Sequence, residues 1–228
     1  MIVNGEPFIV KGVNVHGLDG GGTERGRLKL DILKRLGFNS VRGDHPARMM
    51  VDLAHDANMF WSVLAPFSCA STIDKFAENQ GPPLVVEREI TRLFIERYAD
   101  SPGVLMWNSA NEMGHSLTDL LESIYSVYKS WDPEGRPVHY ANLYGQNRWQ
   151  GQDMMAVNYY FSYESAVDRQ PIIEQSIELG AKHGLPVIYT EFNGYSGPVP
   201  TDGREAMRDQ FDWGVETGMS GGFLYMFP

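Results

Sequence analysis

The sequence predicts an α/β protein folded as a (β/α)8 TIM barrel, and three observations carry that prediction. Eight apolar, β-branched or aromatic runs of strand length recur along the chain, at 8–16, 40–45, 59–65, 104–109, 137–142, 154–161, 186–191 and 221–227. Amphipathic stretches of helical length lie between most of them. Returns from helix to strand are short and connections from strand to helix are long, which is how a barrel with an elaborated C-terminal face is wired.

Taken in order, the first run, 8–16, is followed by a helix over 27–36 with Leu28, Ile32, Leu33 and Leu36 on one face. Gly20-Gly21-Gly22 leads into Thr23-Glu24-Arg25 and reads as a flexible loop, not a phosphate-binding turn. Runs two and three end at 45 and 65, and a helix over 85–98 follows with Ile90, Leu93, Phe94 and Tyr98 aligned. After run four comes a helix over 117–131, striped by Leu120, Leu121, Ile124, Val127, Tyr128 and Trp131. Run six leads to a helix over 172–183, with Ile173, Ile177 and Gly180 on one side. The helix-to-strand returns are 37–39, 100–103, 132–135, 184–185 and 218–220; the long strand-to-helix connections are 17–26, 66–83, 143–153 and 194–203.

The 228 residues carry no linker, repeat or low-complexity tract, so a single catalytic domain over 1–228 is expected. A net charge of −10 argues against nucleic acid or an anionic membrane surface as partner. Cys69 is the only cysteine, which excludes an intrachain disulfide and a cysteine-rich zinc site. The longest apolar run, 223–227, is far below a membrane span, and residues 1–12 lack the pattern of a signal peptide, so a cytoplasmic protein is expected. The chain stops directly after the eighth run and leaves no residues for an eighth helix. A homo-oligomer contact or a partner chain is expected to cover the surface that helix would occupy.

Two glutamates stand at strand ends on the expected active face. Glu112 lies just beyond the fourth run and Glu191 closes the seventh. A carboxylate placed there is largely desolvated, which is costly unless neighbours pair with it. One such glutamate alone reads as a salt-bridged structural acid. Two across a barrel mouth are what glycoside hydrolysis needs: one proton donor and one nucleophile. Tyr144, Trp149, Tyr163 and Tyr195 lie in long active-face loops, where aromatic faces stack on sugar rings or pack the loop down.

The residues around these acids resemble the catalytic barrel of glycoside hydrolase family 2, the β-galactosidase, β-glucuronidase and β-mannosidase group of retaining (β/α)8 glycosidases. Residues 3–16, VNGEPFIVKGVNVH, look like that family's first strand. Val41-Arg42-Gly43-Asp44-His45-Pro46 is similar to its second-strand motif, and Trp107 to His115 resembles its acid/base segment. Asp132 to Tyr140, Asn158-Tyr159-Tyr160 and Tyr189-Thr190-Glu191-Phe192 follow in the family's order. The resemblance implies Glu191 as nucleophile and Glu112 as general acid/base. It further implies Asn111 on the sugar 2-hydroxyl and Tyr160 donating to Glu191. His16, Arg42, His45 and Asn158 would line the substrate pocket, with Arg42 also favouring the ionised form of Glu191. Tyr225 stands where the family usually has a sugar-stacking tryptophan.

No cofactor and no metal are expected, because the third-strand end, 62–66, lacks an acid and the magnesium ligand set is missing. The family's β-sandwich domains are absent from the sequence. The resemblance thus implies a hydrolase acting on carbohydrate by double displacement. An endo-acting glycanase of family 5 type and a degenerate, non-catalytic carbohydrate- or partner-binding barrel are the two alternatives. His16 and His45 read equally well as satisfied core histidines.

Overall fold

The computed structural model describes residues 1–15, 18, 22–44, 46–65, 84–112, 118–143, 149–160, 170–192 and 201–227. An antiparallel pair, β1 (Ile2–Val3) and β2 (Glu6–Pro7), opens the chain. Asn4 and Gly5 both take positive φ, 51° and 84°, between its strands, the backbone that a tight two-residue hairpin demands. Eight parallel strands follow: β3 (Val10–Val15), β4 (Ser40–Asp44), β5 (Phe60–Leu64), β6 (Val104–Asn111), β7 (Val138–Leu143), β8 (Met155–Tyr159), β9 (Val187–Phe192) and β10 (Gly221–Phe227). They close into a barrel in sequence order, β10 pairing with β3.

Six helices surround it among the described residues: α1 (Gly22–Arg35), α2 (Arg48–Asp56), α3 (Leu84–Tyr98), α4 (Thr118–Trp131), α5 (Gln170–His183) and α6 (Thr201–Glu216). Helix α2 and the hairpin have no counterpart in the sequence reading, and α6 is implied there only by the connections that bracket it, 194–203 and 218–220. Helix α1 begins at Gly22, six residues before Leu28 opens the apolar stripe, so the last glycine of the triplet is helical. The described part of the crossover from β7 to β8 carries no helix.

The apolar residues explain the layers. Outward side chains such as Val13, Val15, Val41, Val63 and Trp107 pack against Leu30, Leu33, Met50, Tyr98 and Tyr128 of the helices. On the other side Val157, Tyr159, Tyr189 and Phe192 pack with Ile173 and Met219. Inside the barrel, Val10, Met106, Ala156, Ile188 and Phe223 form a separate cluster, and Met1, Val3 and Phe8 pack against it. The hairpin therefore closes the N-terminal end, leaving the C-terminal mouth for chemistry.

One polar staple secures the strand that ends in Glu112. Trp107 Nε1 donates to Asp132 Oδ2 at 2.9 Å, while Arg136 pairs with Asp132 and donates to the Ser101 and Ala99 carbonyls. The guanidinium also lies 5.0 Å from the Trp107 ring centre. Burial alone would raise the Asp132 carboxyl, but the hydrogen bonds from Arg136 and Trp107 outweigh it and hold it below the usual range.

Candidate active site

The mouth is organised around Arg42 on β4. Its guanidinium is only 2% exposed, and a buried cation needs every donor engaged. Nη1 donates to Glu191 Oε1 at 2.7 Å and to Asn14 Oδ1 at 2.6 Å. Nη2 donates to Asn111 Oδ1 at 2.8 Å. Asn108, with its amide turned so that both ends are satisfied, accepts from Arg42 Nε at 3.1 Å and Nη2 at 2.8 Å. Five N–H groups meet five acceptor contacts, so Arg42 organises the floor and has no donor left for a ligand.

Glu191, 6% exposed, is the penultimate residue of β9. Besides the Arg42 bond it accepts from the Tyr160 hydroxyl through Oε2. Burial, and then the carboxylate of Glu191, push the Tyr160 phenol well above its ordinary value, so Tyr160 remains a donor throughout the working pH range. Tyr225 on β10 meets the Tyr160 ring edge-on, with centroids 5.6 Å apart. Its phenol is likewise raised, by burial first and then by Glu191 and Glu112.

Glu112 follows β6 and is half-buried. It accepts from Asn158 Nδ2 at 2.7 Å, and the same amide reaches Asn111 Oδ1 at 3.3 Å. Thr190 Oγ1 donates to Asn158 Oδ1 at 2.8 Å, closing the network back to the residue before Glu191. The Glu112 backbone sits at φ 53°, the left-handed region that a side-chain-bearing residue enters only at a cost.

Strand bulges explain how these side chains meet. Along β9, Tyr189 pairs with Val157 and with Gly222, while Phe192 pairs with Tyr159 and with Leu224. Three steps on β9 thus face two on each neighbour. Regular alternation would turn Thr190 and Glu191 to opposite faces. The extra residue lets both point inward, while Tyr189 and Phe192 both point out into the helical layer. On β6, Asn108 pairs with His139 and Asn111 with Ala141, again three steps against two. Asn108 and Asn111 consequently face Arg42 together.

The structure thus brings together Arg42, Asn111, Glu112, Asn158, Tyr160 and Glu191, with Tyr225 at the edge. His16 and His45 lie outside the described residues, as do Tyr144, Tyr163 and Tyr195. Trp149 goes elsewhere, correcting its expected place over the mouth. Its ring stacks on His183, 3.9 Å between centroids and 12° from parallel. His183 ends α5, and helices run antiparallel to the strands, so this stack belongs to the outer wall toward the closed end. The sequence reading gave no role to Asn14, Asn108, Thr190 or His139. Asn14 and Asn108 had a legible signal: each is a polar residue inside an apolar run, and a buried amide must have partners.

No helix among the described residues is long and apolar enough to cross a membrane. Among the same residues no three acidic, histidine or cysteine side chains group as a metal site.

An eight-stranded barrel whose C-terminal mouth holds two hydrogen-bonded carboxylates around a buried arginine defines the class of the glycosidase barrels. Comparison with known families makes this specific: residues 1–208 match the glycosyl hydrolases family 2 TIM barrel domain, and the chain belongs to that family. Among solved structures, Ruminococcus gnavus β-glucuronidase is similar over 99% of this chain and 45% of its own, at 19% identity and a TM-score of 0.75. The same enzyme in complex with D-glucuronic acid gives 18% identity and 0.77, over 99% and 44%. Lactobacillus rhamnosus β-glucuronidase gives 20% and 0.73, over 99% and 44%. The chain spans less than half the length of these relatives, and at such identity the likeness is one of fold.

Proposed function

We propose that this barrel hydrolyses β-glycosides with retention of configuration. The observation that supports the reading is the contrast between two carboxylates in one network. Glu191 is buried and takes a charge-assisted bond from Arg42 plus a phenol donor, the surroundings of a carboxylate that works as an anion. Glu112 is half-buried and takes a neutral amide donor, the surroundings of an acid that exchanges protons with the mouth.

In the first step a Glu191 oxygen attacks the anomeric carbon. The glycosidic C–O bond breaks, and the protonated Glu112 gives its proton to the departing oxygen. In the second step Glu112, now a carboxylate, takes a proton from water while the water oxygen attacks the same carbon, and Glu191 leaves with its electron pair. Asn111 is positioned between Arg42 and Asn158 to meet a sugar hydroxyl, a bond that gains strength as positive charge develops on the ring. Arg42 has no free donor for a sugar carboxylate, so recognition of a charged substrate falls to the rim.

The test is a fluorogenic panel of β-glucuronides, β-galactosides, β-mannosides and β-glucosides together with polysaccharides, run on wild type and Glu191→Gln. Turnover with retained stereochemistry that falls at least about 10³-fold in the variant is the expected outcome. A bound-state structure should place the carboxyl groups about 5–5.5 Å apart. Inverted product, or full activity in Glu191→Gln, refutes the reading.

A further inference from the structure

We infer that Asn14 and Asn108 are positioning residues that tie the two strand bulges to Arg42, and so set Glu191 and Glu112 relative to each other. Each amide has the same two-ended arrangement. Asn14, 3% exposed on β3, accepts from Arg42 through Oδ1 and donates through Nδ2 to the Thr190 carbonyl at 3.0 Å. Thr190 is the extra residue of β9, so this bond ties Asn14 to the bulge itself. The same Nδ2 lies 3.4 and 3.5 Å from the Phe223 and Leu224 carbonyls of β10, across the shifted register. Asn108, fully buried on β6, accepts from Arg42 and donates to the Ala110 carbonyl at 2.9 Å, inside the second bulge.

One guanidinium is therefore the shared anchor of both carboxylate-bearing strands. An asparagine suits the task because it offers a donor and an acceptor on one short, rigid group. Without Asn14, one Arg42 Nη1 hydrogen and the Thr190 carbonyl each lose a bond, and the bulge that turns Glu191 inward loses its tie to Arg42. Glu191 is faced by Arg42 from β4, Tyr160 beyond β8, Tyr225 on β10 and Glu112 beyond β6. A carboxylate at position 14 would compete with Glu191 for Arg42.

The kinetic arm of the test rests on the retaining-glycosidase reading; the structural arm does not. Asn14→Ala and Asn14→Asp are compared with Asn39→Asp, which makes the same chemical change where an asparagine ties β3 to β4 at the closed end. Active-site titration with an activated 2-deoxy-2-fluoro glycoside corrects for misfolded protein. Asn14→Ala should lose about 30-fold or more in kcat with KM nearly unchanged. Asn14→Asp should lose kcat likewise, because its carboxylate draws Arg42 away from Glu191. Asn39→Asp should lower only the melting temperature. A kcat within about threefold of wild type in the Asn14 variants overturns the inference. If wild type turns over no glycoside, the functional reading fails and a crystal structure of Asn14→Ala decides. A changed β9 register, or Glu191 parted from Arg42, upholds the inference; an intact register and ion pair overturn it.

Discussion

His139 lies fully buried on β7 inside the barrel, its Nε2 3.2 Å from Ser62 Oγ. Burial first, and then the charge of Arg42, push its imidazole from an ordinary 6.5 down to about 3. The folded protein keeps this ring neutral at pH values where the unfolded chain has already taken a proton. Between pH 6.5 and about 3 the unfolded state therefore binds more protons, and unfolding free energy falls as pH falls. The contribution is complete above the unfolded value and lost by the time pH reaches the folded one. Each pH unit inside the window is worth about 1.4 kcal/mol, so lowering pH from 7 to 5 removes about 2 kcal/mol through this residue alone. The measurement is urea unfolding, followed by tryptophan fluorescence at both pH values, for wild type and His139→Gln. Glutamine keeps a partner for Ser62 but has no proton to gain. The stability difference between the two proteins should shift by about 2 kcal/mol in the variant's favour on going to pH 5. A difference constant to within about 0.5 kcal/mol would show that the barrel tolerates a charged ring beneath Arg42, refuting the argument.

Three further outcomes follow from the site. Arg42→Lys replaces five donors with three and should lower kcat/KM by about 10²–10³-fold while the protein still folds, measured beside its melting temperature; an effect below tenfold contradicts the anchoring role. Tyr160→Phe keeps the edge-on ring contact with Tyr225 but removes a donor from Glu191, so kcat should fall about 10–100-fold with KM little changed. Trp149→Ala removes the stack on His183 and should leave KM within about twofold of wild type; a large rise in KM would restore Trp149 to the substrate.

The barrel was legible in the sequence because burial on both faces makes each parallel strand a short apolar run, and the eight runs coincide with β3 to β10. Helix α2 escaped because it spans nine residues, and α6 shows through the connections on either side of it but not as a stripe, because Gly203 and Gly214 interrupt a largely polar segment. Gly214 is there for contact: a β-carbon would sit 2.8 Å from the Tyr189 ring. Arg42, Asn111, Glu112 and Glu191 could be nominated from their strand-end positions, but not the way they face one another. Alternation along one strand is a local rule, whereas the extra residues of β6 and β9 exist only relative to their neighbours. Trp149 was misplaced for a similar reason. Loop order said which end of the strand it follows, not how far the chain had already returned along the wall.

The left-handed backbone of Glu112 separates what makes this protein durable from what makes it useful. Holding a side-chain-bearing residue at φ 53° costs on the order of 1 kcal/mol, and glycine would relieve it. Glu112→Gly relieves that strain but gives up the Asn158 bond, so its melting temperature should stay within a few degrees of wild type while turnover is lost, as calorimetry and the glycoside panel measure. Had the position only a structural duty, drift toward glycine or asparagine would cost the fold little. A lineage that stopped hydrolysing sugars would have little in the fold to hold glutamate at this residue, which makes position 112 a sensor of whether a barrel of this kind is still at work.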